Sequence, residues 1–475
     1  MTKTGFNFLR LHTSIGLLAI MLCLIASSCK KDSFITSADA GLTTSVDSLK
    51  YDTVFTSVGS ITKSFKISNT NNQKLLLSKI QLMGGTASSF KMNVNGLLSN
   101  EVNDIEVAAN DSIYIFVTAH INPNVVNLPF IVKDSIQINY NGNSRFVQLE
   151  AFGQNANFLR NRIIKGNVTW TNNLPYVILG SLKVDTGATL VINPGCKIYS
   201  HADAPFIIDG TLITNGNQQG QIIFSGDRLD GEYKDYPASW PGIYFRGSSK
   251  NNVLKFTTVK NAYQAVVAEQ PSGNANPKIT IHQCIVDNAY DAGILAVNSS
   301  IQADNSLVSN CGKNISIIYG GNYTFTNCTV AAYSSYFSHK EPVLSVANFA
   351  SQNGASFTND LAAVFRNCIF WGEKGLIADE IIVGKQGTNS FSVTFDRCLY
   401  RGTNDPANSI LTAPIKNLDP SFDSIDVSKR YYDFHITINS MAPGINKGVP
   451  TSFLKDLDDK IRNNGLPDLG CYEKQ

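Results

Sequence analysis

The sequence predicts an all-β protein in which a β-sandwich precedes a right-handed parallel β-helix. Polar and apolar residues alternate in short runs through residues 51–156, as strands with one buried face require. Later, very short apolar runs are separated by Gly or Pro-Gly corners, and no helical period crosses them. The 475 residues are too many for one ordinary core, so at least two domains are expected.

The composition is that of a folded protein, with 43% hydrophobic and 16% charged residues. Residues 1–28 contain Lys3 and Arg10 and no acidic residue, so the remaining chain balances 37 basic against 37 acidic residues. Phosphate binding needs clustered Lys and Arg, and such clusters are missing from this neutral sequence. We therefore expect no nucleic-acid partner.

Residues 1–28 predict a lipoprotein signal peptide, because basic residues precede an apolar run over 15–25 and the small residues of 26–28. The apolar run is too short to span a bilayer comfortably. Leu24-Ile25-Ala26-Ser27-Ser28-Cys29 resembles the lipobox of bacterial lipoproteins, which implies cleavage before Cys29 and lipidation of its thiol. A plain signal peptide is the alternative. We expect a lipid-anchored protein of the cell envelope, at the outer membrane, with residues 29–50 as a polar tether.

Residues 51–156 predict an Ig-like β-sandwich. The clearest alternating runs are Ser64–Ser68, Asp111–Val117, Ser135–Tyr140 and Arg145–Glu150. Asn141-Gly142 separates the last two runs, and Asn-Gly at that position predicts a tight hairpin. About seven short strands in roughly 100 residues are typical of this sandwich. Phe65–Thr70 and Val147–Gly153 resemble bacterial Ig-like modules of the Hydin/ASPM group, which implies a spacer or protein-contact role.

Residues 160–440 predict the β-helix. A polar residue followed by Cys recurs at Gln283-Cys284, Asn310-Cys311, Asn327-Cys328, Asn367-Cys368 and Arg397-Cys398. Like residues on successive coils stack about 4.8 Å apart, so Cys would fill an inward position and Asn would bond to the next coil. The seven cysteines after Cys29 are an odd number, which leaves at least one free thiol. We interpret them as stacked reduced thiols.

The short apolar runs separated by Gly or Pro-Gly corners, together with the Asn-Cys units, resemble the sequences of right-handed parallel β-helix repeat proteins. Residues 441–475 predict a C-terminal cap, because Asn439–Gly448, Asp459, Arg462 and Pro467–Glu473 resemble the end of many secreted bacterial β-helix proteins. Those proteins commonly finish with an Asp-Ile-Gly-Ala-Tyr-Glu motif, in which Leu469 and Cys471 here replace Ile and Ala. The lipobox, Ig-like module and β-helix together resemble lipoproteins of the Bacteroidota. The resemblance implies an architecture rather than an activity.

The richest polar segment is a loop between Phe224 and Trp240, and loops on a rigid scaffold commonly carry binding groups. Its aromatic rings could stack on sugars, and its carboxylates could bond hydroxyls or Ca²⁺, although no calcium-binding motif is present. The alternative is a solvated loop with its tryptophan packed over a coil. The candidate ligand-binding residues are Asp227, Arg228, Asp230, Glu232, Tyr233, Asp235, Tyr236 and Trp240.

No catalytic residue is assigned. β-Helices often contain polysaccharide lyases, glycoside hydrolases and pectin esterases, but the sequence contains no Asn-Thr-Asp with a following Asp-Asp and Gly-His-Gly, as such enzymes have. The histidines are scattered, no Cys-x-x-Cys occurs, and Asp456, Asp458 and Asp459 form an expected surface turn, so no metal or cofactor is expected. Two hypotheses remain: a binding or structural lipoprotein for glycans or a protein partner, and a polysaccharide lyase or glycoside hydrolase acting on an acidic polysaccharide.

Overall fold

The computed structural model describes residues 33–56, 59–123, 130–436, 442–462 and 465–474, without the side chain of Glu232. The predicted signal peptide and Cys29 lie outside the described residues. The chain divides into two units, Met1–Gln154 and Asn155–Gln475. Apart from two 3₁₀ helices, Gly85–Ala87 and Gly231–Asp235, the described regular structure is entirely β, as predicted. In this described part, no helix has the length and apolarity needed to cross a membrane.

The described part of the first unit contains ten strands. They are β1 (Leu42–Thr44), β2 (Ser48–Phe55), β3 (Lys63–Asn69), β4 (Leu75–Leu82), β5 (Phe90–Val94), β6 (Leu97–Leu98), β7 (Glu101–Val107), β8 (Ser112–Ala119), β9 (Phe130–Tyr140) and β10 (Asn143–Gln154).

These strands form two five-stranded sheets, in the orders β1-β3-β8-β5-β6 and β2-β10-β9-β4-β7. The pairing is antiparallel except between β2 and β10. Alternate residues such as Ile115 and Val117 are fully buried in one apolar cluster of the unit, which explains the period-2 pattern. Asn141 and Gly142 have φ angles of 43° and 80° and join β9 to β10, which confirms the predicted hairpin. The two-sheet sandwich is confirmed, while its relation to Ig-like modules stays a prediction.

The predicted tether is wrong over most of its described length. Strand β1 pairs with β3, and β2 begins within the segment assigned to the tether. Phe34 also forms a bridge with Lys74. Leu42 and Leu49 are only 5% and 6% exposed, because they supply apolar surface to the core of the first unit. Burial of these side chains favours ordered pairing over a free polar segment.

Thirty strands lie in the described residues of the second unit. They are β11 (Asn157–Ile164), β12 (Asn167–Trp170), β13 (Tyr176–Val184), β14 (Thr189–Ile192), β15 (Lys197–Ser200), β16 (Phe206–Ile208), β17 (Thr211–Thr214), β18 (Ile222–Gly226), β19 (Ile243–Phe245), β20 (Asn252–Lys255), β21 (Thr257–Lys260), β22 (Gln264–Glu269), β23 (Ile279–His282), β24 (Ile285–Asp287), β25 (Ala292–Asp304), β26 (Leu307–Ser309), β27 (Lys313–Thr326), β28 (Thr329–Ala332), β29 (Leu344–Ala347), β30 (Phe349–Gln352), β31 (Ala355–Thr358), β32 (Leu361–Arg366), β33 (Ile369–Gly372), β34 (Ile381–Gly384), β35 (Phe391–Asp396), β36 (Leu399–Tyr400), β37 (Ile410–Thr412), β38 (Ile415–Lys416), β39 (Phe422–Asp426) and β40 (Tyr431–Ile436).

The strands from β11 to β38, other than the β30–β31 hairpin, wind into a parallel β-helix with three faces. Face 1 includes β16, β19, β22, β29 and β34, and face 2 includes β17, β20, β23, β32 and β35. Face 3 includes β18, β21, β24, β26, β28, β33, β36 and β38. Strands β25 and β27 are long enough to run through faces 1 and 2.

The interior contains stacked residues from successive coils. Phe325, Phe365 and Phe395 form one column, with ring centroids 5.4 and 5.0 Å apart. Cysteines of four Cys units occupy another column, at the position before face 3: they are Cys284, Cys328, Cys368 and Cys398. All seven cysteines of the described part are buried free thiols. The predicted stacking of cysteines on successive coils is therefore confirmed for Cys328, Cys368 and Cys398, whereas Ser306 separates Cys284 from Cys328 in the column and Cys311 lies at a different corner of the coil.

The parallel strands end at β38, earlier than the predicted end of the β-helix near residue 440. The antiparallel pair β39–β40 follows and packs over the outer side of face 3. Phe434 and Leu457 from this C-terminal region cover Leu307 of face 3. The outward apolar residues of face 3 thus explain why the last part of the chain folds back instead of continuing the coils.

Candidate functional site: a groove beside face 3

Two corners of the β-helix are turned by residues with positive φ angles. The strapped corner, between faces 2 and 3, consists of Gln283, Asn305, Asn327, Asn367 and Arg397, with φ between 45° and 54°. The groove corner, between faces 3 and 1, consists of Asn261, Asn288 and Asn310, with φ of 62°, 55° and 51°. Asn tolerates this left-handed conformation better than most residues, because its short polar side chain can bond locally. This explains why Asn recurs at the ends of strands.

The strapped corner is covered by residues 447–462, which we call the strap. Each of these five side chains bonds to the strap. The bonds are from Arg397 Nη1 to Lys447 O (3.3 Å), between the Asn367 amide and Val449 N and O (both 2.9 Å), from Asn327 Nδ2 to Thr451 Oγ1 (3.5 Å), from Arg462 Nε to Asn305 Oδ1 (3.1 Å) and from Gln283 Nε2 to Asp456 O (2.5 Å). Asn367 Nδ2 also donates to Asn327 Oδ1 at 2.9 Å, as predicted for stacked asparagines.

The C-terminal motif closes this arrangement. Arg462 and Glu473 form a buried ion pair at 3.1 Å, with side chains 2% and 4% exposed. A Cβ atom at Gly470, whose φ is 89°, would lie 2.6 Å from Thr329 Oγ1, so a side chain there would clash. The expected surface turn at Asp456 is wrong: Asp456 is buried and accepts backbone N–H bonds from Lys460 and Glu473. Its carboxylate organises the cap.

At the groove corner, the loop before Trp240 covers only the first two asparagines. Asn261 Nδ2 donates to Lys234 O at 2.8 Å. Asn288 Nδ2 donates to Asp235 O at 2.7 Å and to Asn261 Oδ1 at 2.8 Å. Asn288 is 6% exposed, and its Oδ1 has no hydrogen-bond partner among the described residues. A buried acceptor in this state favours a donor from outside the chain.

A groove opens at this corner, formed by two adjoining cavities of about 370 and 470 Å³. Asp287, Asn310, Arg430 and Tyr432 line both cavities. Other residues that line one of them are Gly231, Lys234, Asp235, Lys260, Asn261, Ile285, Asn288, Leu307, Ser309, Ser335, Tyr336, Lys429, Tyr431, Asp433, Phe434, His435 and Tyr472. Face 3 forms the floor, and the loop and the β39–β40 pair form the sides.

Cations outnumber carboxylates in the first cavity, where Lys234, Lys260, Lys429 and Arg430 face Asp235 and Asp287. Lys260 Nζ lies 3.7 Å from Asp235 Oδ1, and Lys429 Nζ lies 2.9 Å from Asp426 Oδ2. Arg430 forms no ion pair within the described part of the chain and lies 4.0 Å from the ring centre of Tyr336.

Asp287 is the carboxylate on the floor of the groove. Its Oδ1 accepts a hydrogen bond from Ser309 Oγ at 2.7 Å. Burial nevertheless raises the pKa of Asp287 above its ordinary value, because surrounding protein penalises the charged form more than this bond favours it. An Asp287 that protonates early on acidification makes the groove more positive.

An aromatic row joins the loop to the far side of the groove. The guanidinium of Arg228 lies 3.6 Å from the ring centre of Tyr233. The Tyr233–Tyr236 and Tyr236–Tyr336 ring centroids are both 5.1 Å apart. Tyr432 Oη also donates to Ser334 O at 3.0 Å. These contacts fix the side chains around the groove before any ligand binds.

The structure divides the sequence-predicted site residues into three groups. Asp235 lines the groove, and Tyr233 and Tyr236 belong to the aromatic row. Asp227, bonded to His201 Nδ1 at 2.7 Å, and Arg228 and Asp230, paired at 3.0 Å, are not among the lining residues. The side chain of Glu232 lies outside the described part.

The prediction that Trp240 binds ligand is wrong. This residue is 1% exposed, lies in the core of the β-helix and donates from Nε1 to Lys260 O at 2.9 Å. A ring with no exposed face cannot stack on a sugar. The alternative, a tryptophan packed over a coil, is what the structure contains.

Sequence reasoning missed most of the groove, including Lys260, Asp287, Asn288, Tyr336 and Arg430. One signal was available: Asn261-Ala262, Asn288-Ala289 and Asn310-Cys311 all place Asn before a small residue at the end of a face 3 strand. The β39–β40 pair is remote in sequence from face 3, so its residues gave no signal. In the described residues, no group of three or more His, Cys, Asp or Glu side chains could hold a metal ion.

Comparison with known proteins gives one family match. The model of the right-handed β-helix region matches residues 177–330. The second unit is a right-handed parallel β-helix. A comparison with curated proteins finds no match. Among solved structures, a family 123 glycoside hydrolase from Clostridium perfringens aligns at 9% identity over 26% of this chain and 30% of that chain, with a TM-score of 0.19. That score carries no argument about fold or activity.

Proposed function

We propose that this protein is a lipid-anchored protein of the cell envelope whose β-helix binds an acidic polysaccharide in the groove. The proposal depends on the polar groups at the groove corner. There, a buried amide oxygen of Asn288 has no partner within the described residues, beside a cavity with more cations than carboxylates. Hydroxyl donors of a sugar match the free acceptor, and uronate carboxylates match the cations.

The groove runs across successive coils, which suits a polymer. Lys260, Asp287 and Ser309 end strands β21, β24 and β26, which pair in register on face 3. Successive coils lie about 4.8 Å apart, so a chain lying along the helix axis would meet equivalent positions repeatedly. The half-buried side chains of Tyr336 and Tyr432 line the same cavity and offer apolar contact to sugar rings.

The anchor places this groove at a membrane. In the proposal, lipid on Cys29 attaches the chain to the outer membrane and the N-terminal sandwich spaces the β-helix from it. We expect labelled palmitate to be incorporated into the wild-type chain and lost in Cys29→Ser. Cys23→Ser, within the predicted signal peptide, is the matched control and should keep the label. Equal labelling of both variants would refute anchoring at Cys29.

The binding proposal is tested by calorimetric titration of the full chain in detergent with galacturonate hexamer and with the neutral hexamer of cellulose. We expect the acidic hexamer to bind and added salt to weaken it. Arg430→Gln should reduce its affinity about tenfold, the size expected for loss of one charge-assisted contact. Arg397→Gln is the matched control, because Arg397 also has a positive φ but bonds to the strap. Tighter binding of the neutral hexamer would refute the acidic specificity.

A second candidate function is a polysaccharide lyase or glycoside hydrolase acting on an acidic polysaccharide. It is favoured by Asp287, whose pKa is raised beside Asp235, Lys260 and Arg430 in one groove. Hydrolysis needs a carboxylic acid that donates a proton, and a raised pKa prepares one. New reducing or unsaturated sugar ends released by the wild type and abolished in Asp287→Asn would establish this activity. Binding without new ends would leave the binding function alone.

A further inference from the structure

A pair of exposed tyrosines lies beside the groove corner. Tyr263 and Tyr290 follow Asn261-Ala262 and Asn288-Ala289 on successive coils, and they are 46% and 52% exposed. Their ring centroids are 5.8 Å apart, with an interplanar angle of 26°. The two rings therefore form a small stacked platform along the helix axis.

The backbone of the platform is hydrogen-bonded to neighbouring coils, and one of its rings contacts a residue next to the groove lining. The backbone N–H of Tyr263 donates to Trp240 O at 2.7 Å, and that of Tyr290 donates to Ala262 O at 2.9 Å. Phe337 packs edge-on against Tyr290, with centroids 5.8 Å apart. Its neighbour in sequence, Tyr336, lines the groove. Tyr336 and Phe337 therefore connect the groove lining to the platform along the chain.

Polar groups flank the rings. Gln264 Nε2 donates to Asp291 Oδ2 at 2.7 Å, and Lys313 Nζ donates to Asp291 Oδ1 at 3.4 Å. Gln264 and Asp291 directly follow the two tyrosines in sequence, so amide, carboxylate and ammonium groups lie near the platform. Flat apolar rings with a few placed polar groups are typical of sites for small polar ligands.

We propose that Tyr263 and Tyr290 form a second carbohydrate subsite, which stacks on pyranose rings of an acidic polysaccharide where it leaves the groove. This inference rests on the proposed function of the groove. The aromatic faces carry negative π charge, which attracts the polarised C–H groups on the flat side of a sugar ring. A protein partner fits less well, because a stable protein interface buries about 800 Å² on each side and the platform is two rings wide beside charged Asp291 and Lys313.

The first unit provides a matched pair of rings. Tyr114 and Phe116 are exposed and stacked, with centroids 5.9 Å apart and an interplanar angle of 19°. Lys66 Nζ lies 5.0 Å from the Tyr114 ring centre, so the chain's own cation already contacts that ring. Exposure and stacking are shared by the two pairs, whereas only Tyr263 and Tyr290 are linked to a groove residue, through the contact of Tyr290 with Phe337 next to Tyr336.

The test compares galacturonate dimer and hexamer by calorimetric titration of the full chain in detergent. We expect Tyr263→Leu/Tyr290→Leu, which keeps apolar bulk but removes both rings, to weaken hexamer binding about tenfold and leave dimer binding unchanged. Tyr263→Phe/Tyr290→Phe keeps the rings and should restore hexamer affinity. Tyr114→Leu/Phe116→Leu should bind like the wild type.

Each other outcome is decisive. Equal hexamer affinity in the wild type and the Leu pair, while Arg430→Gln still weakens binding, would overturn the subsite and leave the groove function intact. Equal loss for dimer and hexamer in the Leu pair would also overturn it, because the rings would then act on the groove rather than on a longer ligand. Failure of the wild type to bind either oligomer would overturn the proposed function itself.

Discussion

The two corners of face 3 have the same left-handed turn, but the chain covers one corner and leaves a groove at the other. Both are formed by residues with positive φ whose amide side chains stack from coil to coil. At the strapped corner the chain's own C-terminal residues satisfy those side chains. At the groove corner the loop satisfies Asn261 and the Nδ2 group of Asn288, while Asn288 Oδ1 has no partner among described residues. The repeated amide turn becomes a candidate binding site where the described chain provides no partner for one amide oxygen.

The difference has an energetic meaning. A buried polar group without a partner costs about 1–3 kcal/mol, and native structures keep few of them. The strap removes that cost at one corner by supplying backbone and guanidinium partners. At the other corner, a ligand that donates to Asn288 Oδ1 would recover the same free energy on binding. The strapped corner therefore contributes stability, and the groove corner is where the proposed affinity for a ligand would arise.

Removal of Arg462 tests the strapped corner most severely. Arg462→Met leaves the buried carboxylate of Glu473 without its cation and removes the bond to Asn305. We expect a loss of about 3–5 kcal/mol in the free energy of unfolding of the second unit. The matched control is Arg228→Met, whose more exposed pair with Asp230 should contribute at most about 1 kcal/mol. Equal losses in urea unfolding would contradict a structural role for the strap.

His435 gives a smaller, pH-dependent effect on the cap. Hydrogen bonds to Asp458 (2.9 Å) and Asp433 (2.5 Å) raise the pKa of His435 from 6.5 to about 9. A raised folded-state pKa stabilises the protein fully below pH 6.5, and this contribution disappears as pH rises through about 9. After allowance for solvent screening we expect about 1 kcal/mol.

Thermal unfolding at several pH values measures this contribution. His435→Gln should flatten the decline in stability between pH 6.5 and 9. An identical decline in wild type and His435→Gln would show that other groups cause it.

Asp287 gives the smallest effect, on affinity rather than stability. Since burial raises its pKa, acidification neutralises Asp287 before ordinary aspartates and removes its repulsion of an acidic ligand. We expect affinity for galacturonate hexamer to rise about threefold as pH falls through this pKa. Asp287→Asn should bind tightly at all these pH values. Titrations in which the variant keeps the wild-type pH dependence would locate the effect elsewhere.

Much of the fold follows from sequence alone, for physical reasons. Period-2 runs indicate a sheet with one buried face, and Asn141-Gly142 indicates a turn that needs positive φ. Both are local properties of the sequence. The Asn-Cys units report coil stacking, because small inward residues and left-handed corners repeat. The sequence could not indicate which side of the coil Trp240 occupies, since that depends on stacking with neighbouring coils. Nor could it place Arg430 beside Asp287, because the cap returns from far along the chain.

The most direct test of the difference between the corners makes the same Asn→Ala substitution once at each corner. Asn367→Ala and Asn288→Ala carry the same backbone strain, because the φ angles are 54° and 55°. We expect Asn367→Ala to cost about 2–3 kcal/mol of unfolding free energy, since three hydrogen bonds are lost, and to keep wild-type affinity for galacturonate hexamer. Asn288→Ala, which loses two hydrogen bonds and relieves one buried unsatisfied oxygen, should cost about 1–2 kcal/mol and reduce that affinity about tenfold.

Both quantities are measured on the full chain, by urea unfolding of the second unit and by calorimetric titration with galacturonate hexamer. The account predicts opposite rankings: Asn367→Ala the less stable variant and Asn288→Ala the weaker binder. Unchanged hexamer affinity in Asn288→Ala, or equal losses of stability and affinity in the two variants, would contradict the assignment of packing to one corner and binding to the other.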